Sequence, residues 1–162
     1  MPTSTYIALA NYTLSSAAAD VTFSSIPATY RDLVLAINGE VTDTDRQISV
    51  QLNGDTGSNY SRVSVANDAS GTFSGTATDI SYQGGSGQHL VLVNFMDYSA
   101  TDKHKTFLSR GNNPTSFVFT RAHRWANTSP VTSIKIFTAQ STTTPASSFK
   151  SGTNFALYGI VS

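Results

Sequence analysis

Residues 23–60 read FSSIPATYRDLVLAINGEVTDTDRQISVQLNGDTGSNY, and the alternation inside this stretch decides the fold. Leu33, Leu35 and Ile37 alternate with Val34, Ala36 and Asn38, so both faces are partly apolar, as in a strand in the middle of a sheet. Ile48, Val50 and Leu52 alternate with Ser49, Gln51 and Asn53, the pattern of a half-buried strand. Pro27 ends the preceding run, Asp20 to Ile26, by removing a backbone donor. The corner Pro27-Ala28-Thr29-Tyr30 turns the chain. The loop Asn53 to Asn59 is dense in residues that tolerate positive φ.

The same grammar extends in both directions. Tyr6 to Leu14 predicts one strand with a bend near Asn11, and Tyr60 to Val65 predicts another. Asn67 to Gly87 is poor in large apolar groups and reads as a long excursion with one short strand at Thr78 to Tyr82. His89 to Ser99, His104 to Arg110 and Ser116 to Trp125 predict a three-strand meander, with a turn at Gly111-Asn112-Asn113-Pro114 between the last two. Val131 to Phe137 and Asn154 to Val161 are the closing strands, separated by a polar loop from Thr142 to Gly152. About ten short strands without helical periodicity indicate an all-β chain, an antiparallel β-sandwich or barrel.

Composition agrees. The 162 residues suit one domain covering 1–162. Ser and Thr fill more than a quarter of the chain while Glu40 is the only Glu, a bias toward strand surfaces and turns. Ten basic residues balance ten acidic ones, so no net field draws in nucleic acid or an anionic membrane. With no cysteine, neither disulfides nor thiolate metal sites hold the fold. No signal peptide or apolar run of spanning length stands out, so a soluble and complete gene product is expected.

Candidate chemistry is sparse. The Asn53–Asn59 loop offers Asn53, Asp55 and Ser58 oxygens to Ca²⁺, yet it lacks the spaced carboxylates of an EF-hand and reads as a turn without metal. Asp43 with Asp45, and Asp97 with Asp102, are the nearest approach to the paired carboxylates a glycosidase needs, and they read as solvated turn residues. Ser86 in GGSGQ fails the last position of the G-x-S-x-G nucleophile pattern. His89, His104 and His123 lie far apart in sequence, as isolated strand-end residues rather than a zinc site. No enzyme activity, cofactor or metal is expected. The one concentrated polar-aromatic patch is Arg121, His123, Arg124 and Trp125, the interface or ligand candidates. On a strand, Arg121, His123 and Trp125 share a face. Arg and Trp are enriched at interface hot spots, and the alternative is a strand whose Trp125 caps the sandwich edge.

Three segments, FSSIPATYRDL from Phe23, LNGDTGSNYS from Leu52 and FKSGTNFALYGI from Phe149, resemble those of tailed-bacteriophage virion proteins that share a jelly-roll domain. The resemblance implies a jelly-roll-like sandwich and a structural role on the virion. A chain filled by one domain suits a capsid decoration (cement) protein on the capsid exterior, with the major capsid protein and its own copies, as a homotrimer, for partners. Proteins of this look also serve as tail fibre or appendage modules. The alternative expectation is therefore receptor binding to a host glycan, with Trp125 as the stacking residue.

Overall fold

The computed structural model describes residues 4–42, 47–66, 73–77, 80–83, 87–113, 117–139 and 147–161. Among them the chain forms twelve strands: β1 (Tyr6–Thr13), β2 (Asp20–Phe23), β3 (Asp32–Gly39), β4 (Gln47–Leu52), β5 (Tyr60–Ala66), β6 (Phe73–Ala77), β7 (Ile80–Gln83), β8 (His89–Met96), β9 (Lys105–Asn113), β10 (Phe117–Trp125), β11 (Ile134–Ala139) and β12 (Asn154–Ile160). They make an eight-stranded sheet in the order β1-β12-β3-β8-β9-β10-β5-β6 and a four-stranded sheet in the order β2-β11-β4-β7. Every pairing is antiparallel.

With the strand pairs β5–β6 and β9–β10 set aside, eight strands remain. Renumbered in chain order, they give sheets 1-8-3-6 and 2-7-4-5, the two-sheet jelly roll in which the chain passes repeatedly from one sheet to the other. The pairs set aside leave the jelly roll at two different points of the sequence. They meet beyond β8, where β9-β10-β5-β6 extends the large sheet as a wing.

Leu33, Leu35 and Ile37 of β3 point inward, as do Val91, Val93 and Phe95 of β8, and all six are fully buried against Ile48, Val50 and Leu52 of β4 and Ile134 and Ile136 of β11. Each contributes about 1.5–3 kcal/mol relative to exposure. β3 lies between β12 and β8, the central place that its two partly apolar faces predict. The corner after Ile26 is held from outside the stretch. The buried Tyr98 hydroxyl donates to the Pro27 carbonyl and accepts from the Tyr30 amide.

Several boundaries differ from expectation. β9 runs on through Gly111, Asn112 and Asn113, where a turn is expected, because Gly111 lets the ladder with β8 and β10 continue beneath the Phe119 ring. The excursion holds two short strands, β6 and β7, rather than one. The irregularity in β1 is a register shift between Ala8 and Ala10, just before the expected bend. β11 begins at Ile134, and Val131 is buried in the loop before it. Asp43, Asp45 and Ser86 lie outside the described residues.

Candidate functional site

All four candidate residues stand on β10, in the wing, and alternation divides them. Arg121, His123 and Trp125 point into the sandwich and are buried, while Arg124 points out and is exposed. Three therefore share a face, as the spacing requires, but that face is internal.

Trp125 is 1% exposed and lies over the ring of Tyr60, its partner on β5, with centroids 6.4 Å apart. Its indole Nε1 donates to Asp55 Oδ2 at 2.6 Å. Asn59 Nδ2 donates to both Asp55 oxygens, and the Gly57 amide donates to Oδ1 at 2.9 Å. The Trp125 N–H first, then Asn59 and the Gly57 amide, hold the Asp55 carboxyl below the usual carboxylate range. The carboxylate that a cation would use is thus saturated with internal donors. Asn53 is committed likewise: its Nδ2 donates to the Pro130 carbonyl at 2.7 Å, and its Oδ1 accepts from the amides of Thr132 and Ser133. Left-handed φ at Asn53 (52°) and Gly54 (69°), with Asp55 N bonded to Leu52 O at 2.9 Å, makes the start of the loop a tight Asn-Gly turn. The loop is a latch over Trp125, and burial withdraws that indole from stacking on a glycan.

Further along the same inner face the wing becomes polar. Leu35 of β3 pairs with Val93, Val93 with Ser109, Ser109 with Arg121 and Arg121 with Ser64, so one row of the sheet passes from apolar to polar at β9. Arg121 Nε donates to Ser64 Oγ at 2.9 Å, and its guanidinium lies 4.9 Å from the Phe119 ring centre. Ser109 Oγ and His123 Nε2 are 2.9 Å apart. Burial first, then the positive charges of Arg121 and Arg62, pull the His123 pKa down to about 3, so the imidazole is neutral at ordinary pH.

Two buried groups escaped the sequence reading. Lys105 stands in phase with the inward Phe107 and is fully buried, yet its ammonium donates to the carbonyls of Ala100, Lys103 and Thr128 at 2.6, 3.2 and 3.0 Å. It fastens two loops to the wing, as Tyr98 fastens the Pro27 corner. The signal for Lys105 was its inward parity, which a charge at a strand end obscures.

The remaining candidates scatter. His89 is buried at the start of β8 and His104 is exposed ahead of β9. Asp97 pairs with Lys103 at 2.7 Å rather than with a second acid, and that hydrogen bond lowers its pKa. Among the described residues no three His, Cys, Asp or Glu side chains are grouped to hold a metal ion. A groove of about 530 Å³ opens between the edge strands β1 and β2 over Leu14, Val21 and Phe23. Its one lining carboxylate, Asp20, faces Lys135 at 3.4 Å.

No protein-family model matches the chain, and no curated protein or solved structure shows significant similarity to it.

Proposed function

We propose that the protein is a structural component of a tailed-bacteriophage particle, a decoration (cement) protein that binds the outer shell as a trimer and stabilises it. The observation that carries this reading is the internal commitment of Arg121, His123 and Trp125, three of the four residues of the polar-aromatic patch. Asp55, Asn53, Trp125, Arg121, Ser64, Ser109 and His123 bond to one another or to backbone inside the fold. What the molecule then offers a partner is its outward sheet surface, carried on the sandwich. The resemblance of the Phe23, Leu52 and Phe149 segments to virion proteins supplies the particle, and the jelly-roll architecture accords with it. Binding to the assembled shell and not to its dissociated subunits stabilises the shell by mass action. Cryo-EM of the particle tests the assignment. Density for this chain distributed over the shell supports it, and density confined to the tail contradicts it.

A further inference from the structure

The outer face of the wing differs from the rest of the surface. Five of the large exposed apolar side chains, Val63, Val65, Leu90, Leu108 and Val118, project from the adjoining strands β5, β8, β9 and β10 on the side away from the core. The register places them in three successive cross-strand rows, with no two of them directly paired. Leu90 pairs with Asn112 and Asn112 with Val118, while Leu108 pairs with Ala122 and Ala122 with Val63. Between these two rows lies a third, Leu92, Arg110, Thr120 and Val65, so with strands about 4.8 Å apart the aliphatics share one face interleaved with Asn112, Thr120, Ala122 and Arg110. Five exposed aliphatics gathered on one sheet face make it a candidate contact surface.

Its charge is one-sided. Arg110 and Arg124 stand on the same face, both exposed, and neither makes an ion pair or side-chain hydrogen bond among the described residues. The outward positions of β5, β8, β9 and β10 that are described carry no carboxylate at all. A chain of zero net charge thus presents two arginines on this face with no carboxylate among the described outward residues of its strands.

We propose that this face docks on a protein surface that is apolar and carries carboxylates opposite Arg110 and Arg124. Under the decoration reading, on which this inference rests, that surface is the exterior of the shell. Arginine beside an aliphatic field calls for carboxylates on the partner, which fix the register of docking and reject wrong surfaces. A second copy of the same face is a poor occupant, because a two-fold contact brings arginine toward arginine with no acid between them. Nucleic acid needs many phosphate-neutralising cations or aromatic platforms. The anionic surface of a bilayer attracts clusters of four or more basic residues, and this face has two.

Four strands and four outward rows cover on the order of 500 Å². That is less than the roughly 800 Å² per partner of a standard stable interface. One such contact is therefore weak, and simultaneous engagement of several linked copies holds the protein on its lattice by avidity.

The test is co-sedimentation of the purified protein with particles assembled without it, across a salt series, using wild type, Leu108→Asp and the double variant Arg110→Glu/Arg124→Glu. All three substituted positions face solvent, so circular dichroism melts should coincide with wild type. Salt should weaken wild-type binding, and each variant should bind at least about tenfold more weakly. Wild-type binding that both variants retain overturns the docking face and leaves the decoration reading standing. Wild-type protein that ignores the particles overturns the decoration reading together with the shell as the partner. Self-association in sedimentation velocity, or binding to phosphatidylserine vesicles, that the same variants abolish overturns the acidic protein partner.

Discussion

At the residue scale, the wing depends on polar groups used as internal fasteners. Asp55 carries the loop of residues 53–59 onto Trp125 through one carboxylate that receives three kinds of donor. Asp55→Ala leaves the buried indole N–H without its acceptor and should cost about 1.5–3 kcal/mol, measured by urea unfolding at neutral pH. Because the folded Asp55 pKa lies below its ordinary value, the stability it contributes is present above the unfolded pKa. It is lost as pH falls through the folded one. His123 acts in the same pH direction but over a higher range. Its folded pKa is about 3, so below about 6.5 the unfolded chain takes up a proton that the folded chain refuses. This single group therefore lowers stability by about 1.4 kcal/mol per pH unit across that range. His123→Gln should flatten the fall of the urea midpoint between pH 6 and pH 4, whatever it does to the midpoint at pH 7. An unchanged slope would mean that His123 is protonated in the fold. These pairings were invisible in the sequence: alternation places Trp125, His123 and Arg121 on one face, but nothing local says which face is inside, or that Asp55, seventy residues away, is the indole's partner.

At the scale of the element, the strands that read clearly are those whose alternation is strict. β3, β4 and β8 follow their apolar pattern because a one-residue slip would turn Leu35, Val50 or Val93 out of the core. β9 is harder to read, because Gly111-Asn112-Asn113 carries turn residues but is used as strand. A Cβ at Gly111 would lie 2.6 Å from Phe119 Cζ and 2.8 Å from the Leu90 carbonyl oxygen, so the glycine is there for close approach and not for a turn. Gly111→Ala should therefore destabilise by about 1–3 kcal/mol, seen as a lower urea midpoint, and should disturb the β8–β9–β10 ladder in hydrogen exchange. Stability equal to wild type would show that the strand ends before Gly111. β5 was legible from the alternation of Tyr60 to Val65, whereas β6 was missed and β7 was legible only in outline, since short strands with few large apolar residues give too little periodicity to locate.

At the scale of the whole molecule, sequence alternation supplies two-sided strands but not their neighbours. β12 pairs between β1 and β3, and β10 pairs with β5 across more than fifty residues, so sheet order arises from packing the whole chain. That order separates a jelly-roll core from a wing built out of two insertions. It also explains why Arg121, His123 and Trp125 of the patch singled out in the sequence are interior, while of the outward face proposed for docking, around Leu108 and Val118, only Arg124 was singled out. Exposed aliphatics on a strand read as core until the opposite face is seen to be filled. Under the proposed decoration role the wing's outward face, aliphatic with two arginines, is the docking surface, and its modest area makes the number of copies on the particle decisive. Quantitative mass spectrometry of purified particles, with the major shell protein as internal standard, measures that number directly. The account predicts hundreds of copies per particle, in a fixed ratio to the shell protein; a handful to a few tens would place the chain on the tail and contradict it.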